Sequence, residues 1–280
     1  MSQIENSVSS LDLTNKSVLL RVDFNVPLKG NELLDDERLI RAIPTIKFLV
    51  EKARSLKIIS HLGRPEETGL VQDKFSLKPV AKKLGELLNK EVRLVNSIKE
   101  LKSLDNISML ENIRFYKGEK QNEIKLSKAL ADTADVFVMD AFGTAHRKQA
   151  STYGVTSFVK EACVGFLVEE ELKALERIID SPEKPLLGII GGSKISTKMK
   201  VLESLTKHVD HLIIGGALAN TCLKALGKNI GKSLYEEDFI ELAKTIIKNK
   251  KILLPSHVVV TKGRDADLEE KHVDLVDDLS

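Results

Sequence analysis

The chain has 280 residues, 42% hydrophobic and 30% charged, with 43 Lys and Arg against 41 Asp and Glu for a net charge of +2. That length suits two domains of ordinary size, each with its own core. The near-neutral balance argues against a dedicated nucleic-acid binder, and no apolar run approaches the length of a membrane span.

Taken in chain order, the N-terminal MSQIENSVSS is polar. It has neither an apolar signal core nor the Arg-rich character of a transit peptide, so a cytoplasmic protein is expected. Short apolar runs then alternate with stretches of helical period. Val18–Val22, Ile58–Ser60, Ile107–Leu110 and Val136–Met139 read as buried strands in the first half; Leu186–Ile190, Leu212–Ile214 and Ile252–Leu254 read the same way in the second. Between the first two, Leu39, Ile40, Ile43, Ile46, Leu49 and Val50 fall on one helical face, with Pro44 predicting a kink or a late start. Further helical stripes are Val80, Leu84, Leu87 and Leu88; Leu202 and Leu205; and Leu242, Ile246 and Ile247. Strand-then-helix alternation predicts the doubly wound α/β class, parallel strands with helices on both faces. Val164–Asp180 reads as one long helix followed by SPEKP, a composition suited to a domain boundary. The expected domains are 1–163, a joining helix over 164–180, and 181–280. Cys163 and Cys222 lack zinc-ligand spacing and read as buried thiols in a reducing compartment.

In open α/β sheets, ligands bind beyond the carboxyl ends of the strands. After the first strand come Asp23 and Asn25; after the second, His61 and Arg64; after the third, Arg114; after the fourth, Gly143, His146 and Arg147. Arg38 adds a cation near the start of the first helix. Each residue alone has an ordinary reading as a turn former or a solvated loop residue. Parallel strands, however, place all these loops on one rim. Clustered arginines repel unless an anion offsets them, and Arg grips phosphate and carboxylate with two donors at once. The predicted ligand is small and multiply anionic, with Asp23 and Asn25 serving its neutral polar groups.

The second half carries a different signal. Gly191-Gly192-Ser193-Lys194-Ile195-Ser196-Thr197-Lys198 follows a strand, and the glycines permit a turn with exposed backbone N–H groups, a seat for phosphate. Lys194 and Lys198, four apart, are expected on one face of a helix's first turns, where they oppose the helix dipole unless a phosphate sits there. The alternative is a pair of solvated lysines ahead of a helix that starts one turn later. This is not a Walker A loop, because Ser193 and Ile195 stand where Gly and Ser or Thr belong. A second pair, Gly215 and Gly216, allows a base or ribose to approach the backbone, or is simply a tight turn.

RVDFNVP at Arg21–Pro27, SHLGRP at Ser60–Pro65, LENIRF at Leu110–Phe115, DAFGTAHR at Asp140–Arg147, GGSKISTK at Gly191–Lys198 and GGALANT at Gly215–Thr221 together resemble the signatures of phosphoglycerate kinases, in their order and spacing. The resemblance covers essentially the whole chain. It implies two Rossmann-like lobes joined by a hinge helix, and reversible phosphoryl transfer between 1,3-bisphosphoglycerate and ADP to give 3-phosphoglycerate and ATP. Carried over by position, Asp23, Asn25, Arg38, His61, Arg64, Arg114 and Arg147 are substrate contacts. Gly191, Gly192, Gly215, Gly216, Lys194 and Lys198 fall on the nucleotide side, with Arg38 and Lys198 as catalytic cations brought together by hinge closure. The acceptor is a carboxylate, already ionised, so catalysis reduces to positioning and charge neutralisation. The resemblance further implies a monomer and Mg2+ carried with ADP or ATP. The family's GGGD-like loop and magnesium-binding Asp are not found after Leu254, so an incomplete second lobe is expected. A non-catalytic 3-phosphoglycerate-binding module is then the alternative. A Rossmann oxidoreductase fits poorly, because Asp23-Phe24-Asn25 stands where G-x-G-x-x-G is needed.

Overall fold

The computed structural model describes residues 6–180, 182–261 and 269–272. The chain divides into two compact units between Ala174 and Leu175. In the first lie β1 (Ser17–Val22), β2 (Leu28–Lys29), β3 (Glu32–Leu33), α1 (Glu37–Lys52), β4 (Ser55–Ile59), α2 (Lys78–Leu88) and β5 (Arg93–Val95). There follow α3 (Ile98–Lys102), β6 (Ile107–Leu110), α4 (Ile124–Ala131), β7 (Val136–Asp140), α5 (Phe142–Ala145), β8 (Glu161–Val164) and α6 (Phe166–Asp180), the last crossing the division. Six strands form one sheet in the order β5-β6-β4-β1-β7-β8, every neighbouring pair parallel. The connections run outward on one side of β1 and then return to β7 on the other. Between β1 and β7 lies the point where the strand order reverses, the usual ligand crevice.

The period of two along β1 explains the layering. Val18, Leu20 and Val22 join a core with Leu39, Ala42, Ile46 and Leu49 of α1 and with Val80 and Leu84 of α2. Leu19 points the other way, into a core with Leu101 of α3 and Leu126 and Leu130 of α4. Helices thus cover both faces, as the doubly wound pattern predicts. Two cations interrupt the second face. Lys57, buried, donates through Nζ to the carbonyls of Thr133 at 2.5 Å and Lys102 at 3.3 Å, at the ends of α4 and α3. Arg21 is the other.

Three sequence expectations change. α1 starts at Glu37, well ahead of Pro44, so there is no late start. Its first turn is served by the Asp35 carboxylate, which accepts from the Glu37 N–H at 2.8 Å. The long helix starts at Phe166, not Val164, because Val164 completes β8 beside Met139. The Asp140 carboxylate then accepts from the N–H groups of Leu167 at 3.0 Å and Val168 at 3.2 Å and caps the helix. Burial raises the Asp140 pKa, opposed first by the Thr45 hydroxyl and then by those two donors. Asp140→Ala strands both N–H groups and is expected to cost about 2 kcal/mol, read as a lower urea midpoint at unchanged m-value.

The second unit holds β9 (Leu187–Gly191), α7 (Met199–His208), β10 (His211–Gly215), α8 (Gly216–Ala225), α9 (Ile240–Ile246), β11 (Ile252–Leu253), β12 (His257–Val260) and β13 (Glu269–His272). β9, β10 and β11 form a parallel sheet with β10 central; β12 and β13 form an antiparallel pair. Ile190, Leu212 and Ile214 pack with residues of α7, α8 and α9. On the opposite face, in register, Leu187, Ile189 and Leu253 are exposed, Ile189 to 73%. The third change is here: α7 begins at Met199, with Lys198 as its N-cap. Lys194 and Lys198 therefore precede the helix and do not share one of its faces. Ile195 is buried in the core and the Ser196 N–H and hydroxyl donate to Glu236 at 3.1 and 2.8 Å, which holds this stretch as a loop. Cys163 and Cys222 are buried free thiols, pushed up to about 12 and about 11 by burial. Ser181 of SPEKP and the charged stretches 262–268 and 273–280 lie outside the described residues.

Candidate active site

Short, fully buried parallel strands leave their next residues on one rim, and those residues carry the charge. Asp23 follows β1 and pairs with Arg38, in the first turn of α1, at 2.5 Å. Asn25 accepts the Gly63 N–H on its side-chain oxygen at 2.8 Å, tying the loop after β1 to the loop after β4. Gly63 has φ +60, and a Cβ there would lie 2.4 Å from the Phe75 ring, so no other residue fits. Arg114 follows β6, donates to the Gly63 carbonyl, and has its own N–H held by the Asn112 side chain at 3.1 Å. A Cβ on Gly143, after β7, would stand 3.4 Å from Asp23, so the loops across the β1–β7 crevice nearly touch. A cavity of about 340 Å3 opens there, lined by Asp23, Arg38, Arg41, Asp140, Gly143 and Glu171 among others.

His61 is 2% exposed and lies among Arg21, Arg114, Arg147 and Arg38. Burial first, and then those cations, push its pKa down to about 2. The ring is neutral near pH 7, so its 3.7 Å approach to Asp23 is not an ion pair. Arg114 is lowered by burial and by its neighbours Arg147 and Arg64, with Glu119 and Asp23 opposing. Asp23, Asn25, Arg38, His61, Arg64, Arg114 and Arg147 thus occupy one neighbourhood, with Arg64 exposed at its rim. This concentration of guanidinium beside Asp23 and Glu119 can offset the charges of a multiply charged anion.

In the second unit the two glycine pairs meet. Gly191 and Gly215 are register partners at the carboxyl ends of β9 and β10. Gly216 has φ +65, and a Cβ there would lie 3.2 Å from the Gly192 carbonyl oxygen; the Leu218 N–H donates to that same oxygen at 3.1 Å. α8 starts directly from Gly216, so the turn and helix N-terminus are one feature. Beside it lies a cavity of about 500 Å3 whose lining includes Gly215, Gly216, Asn220, Leu223, Ile230 and Val258. Lys194 and Ser193 are exposed in the preceding loop and Lys198 is half-buried.

The sequence profile of phosphoglycerate kinase matches residues 8–279. A phosphoglycerate kinase of Coxiella burnetii is 45% identical over 278 residues, covering 96% of this chain and 71% of that protein. One of Vibrio campbellii is 46% identical over 275 residues, covering 97% and 71%. The chain belongs to the phosphoglycerate kinase family. The solved Coxiella burnetii phosphoglycerate kinase superposes with a TM-score of 0.83 at 47% identity, covering 97% of this chain and 72% of that one. The Pyrococcus horikoshii phosphoglycerate kinase does so at 0.80 and 28% identity, covering 95% and 71%.

The protein is therefore a kinase of glycolysis, a phosphotransferase with the family's α/β architecture. Phosphoglycerate kinases act on phosphoglycerate and adenine nucleotide, with Mg2+ accompanying the nucleotide. Among the described residues no three His, Cys, Asp or Glu side chains gather so as to hold a metal ion. No helix among the described residues is long and apolar enough to cross a membrane. Sequence reasoning missed Arg21, Glu119 and Ser151, which lie behind the pocket. Arg21 had a signal, a lone charge inside VLLRV; Glu119 and Ser151 had none.

Proposed function

We propose that the rim at the β1–β7 crevice binds 3-phosphoglycerate and its acyl phosphate 1,3-bisphosphoglycerate. The observation that carries this reading is the cluster of Arg21, Arg38, Arg64, Arg114 and Arg147 around a neutral His61. Arg64, Arg114 and Arg147 grip phosphate and carboxylate, while Asp23 and Asn25 take the hydroxyl. Gly191, Gly192, Gly215, Gly216, Lys194 and Lys198 bind the phosphates and ribose of ADP or ATP. Arg38 and Lys198 are the catalytic cations. The carboxylate of 3-phosphoglycerate attacks the terminal phosphorus of ATP without a general base, the bond from that phosphorus to the bridging oxygen breaks and ADP leaves, and the guanidinium and ammonium offset charge on the moving group. Residues 1–163 belong to the acid-binding domain and 181–280 are nucleotide-binding sequence, with the helix Phe166–Asp180 between them in the chain. Mg2+ arrives with the nucleotide. The protein works in the cytoplasm as a monomer.

Calorimetric titration with 3-phosphoglycerate at a series of salt concentrations tests the pocket. Affinity is expected to fall steadily as ionic strength rises, because several charge pairs form on binding. A salt-independent affinity would remove the arginine cluster from the site.

A further inference from the structure

Glu119 is 0% exposed and belongs to none of the motifs that mark the pocket. Both its oxygens are engaged by one residue: Oε1 accepts from the Ser151 hydroxyl at 2.6 Å and Oε2 from the Ser151 N–H at 3.0 Å. With its proton committed to Glu119, Ser151 Oγ presents a lone pair to Arg21 Nε–H at 3.1 Å. Arg21, 1% exposed, donates through Nη1 to the Val22 carbonyl and lies with Nη2 3.2 Å from His61 Nδ1.

The direction of every bond in this chain is determined by its members. A carboxylate only accepts and a guanidinium only donates. Nδ1 of His61 must therefore offer its lone pair to Arg21, and the neutral ring carries its one proton on Nε2. The other tautomer would set two N–H donors against each other. We propose that Glu119, acting through Ser151 and Arg21, is a positioning residue that holds His61 as the Nε2–H tautomer. In that form the ring offers an anionic substrate a donor; in the other, Nε2 would present a lone pair and repel it. This inference rests on the reading of the rim as the 3-phosphoglycerate pocket.

The purely architectural alternative is that Glu119 only ties two loops together, since its carbonyl also accepts the Ala150 N–H at 3.0 Å. Two measurements on the intact chain separate the roles. Long-range proton–nitrogen correlation of the His61 ring, without ligand, should show Nε2 protonated and Nδ1 bare in the parent protein. In Glu119→Gln and in Ser151→Ala a mixture of tautomers should appear. The second measurement is a double-mutant cycle on 3-phosphoglycerate affinity. Glu119→Gln should weaken binding about tenfold in the parent, but less than about twofold in a His61→Gln background. Ser151→Ala, which keeps the buried charge, serves if Glu119→Gln does not fold. An unchanged tautomer in the folded variants, or equal loss of affinity in both backgrounds, overturns the proposal. If the parent itself fails to bind 3-phosphoglycerate, the pocket assignment is what fails, and the ring-nitrogen measurement still decides the relay.

Discussion

Replacing Arg38 by Ala is expected to lower kcat about a thousandfold while leaving the thermal midpoint in place. The two halves of that expectation have separate causes. The Arg38 side chain is 51% exposed and, among the described residues, pairs with Asp23, so truncating it leaves no cavity. An exposed pair of this kind contributes less than about 1 kcal/mol to stability. In the proposed role, in contrast, the guanidinium offsets charge on the moving phosphoryl group, and its loss would fall on the transition state. KM for 3-phosphoglycerate should rise far less than kcat falls. The check is steady-state kinetics with a coupled assay, beside a melting curve. Turnover within a factor of about ten of the parent would take Arg38 out of the phosphoryl step.

His61 sets the second large effect, on stability as a function of pH. Its folded pKa of about 2 lies far below the ordinary 6.5. Between those values the unfolded chain binds a proton that the folded chain refuses, so stability falls as pH falls below 6.5. The groups facing the ring are Arg21, Arg114, Arg147, Arg38 and Asp23, and the four cations hold the pKa down together with burial. From about pH 7.5 to about pH 4.5 this single group removes about 3 kcal/mol. Urea unfolding across that range should show a steeper decline in the parent than in His61→Gln. Parallel curves would mean the imidazole accepts its proton in the folded state. A bound anion should flatten the parent's curve, because it offsets the surrounding cations.

Much of this was legible beforehand, for identifiable reasons. Central strands such as VLLRV and VFVM are buried on both faces, so they read as near-continuous apolar runs, interrupted in the first only by Arg21, and are easy to see. β5 and β8 sit at the sheet edges, are short, and carry Arg93 and Glu161, so their apolar content falls below a readable run. α8 hides for another reason: Gly216, Ala217, Ala219 and Asn220 give it small side chains and a weak stripe, and the glycine turn dominates the reading. Pro44 brings no late start because the rest of α1 packs through Leu39, Ile46 and Leu49, and tertiary burial outweighs one lost hydrogen bond. The lysine loop misled because Ile195 and Glu236 capture residues that local propensity would have given to the helix. In the pocket, strand ends identified the members of the rim. The bonds among them, Asn25 to Gly63 or Arg114 to Gly63, join loops remote in sequence, and Glu119 enters only through the return of the chain at Ser151.

The sheet of β9, β10 and β11, packed against helices on one face with Ile189 turned to solvent on the other, implies that the molecule has more than one clock. Amides of β1 have ladder partners on both sides and apolar cover above and below, so solvent deuterium reaches them only when the first unit opens as a whole. Amides of β9 have a ladder on one side and half the cover, and local fraying exposes them at a small fraction of that free energy. The glycine turn proposed to face the nucleotide stands at the end of the quicker strand, while Asp23 extends from the slower one. Exchange with solvent is therefore expected to partition along the same line as the two proposed ligands.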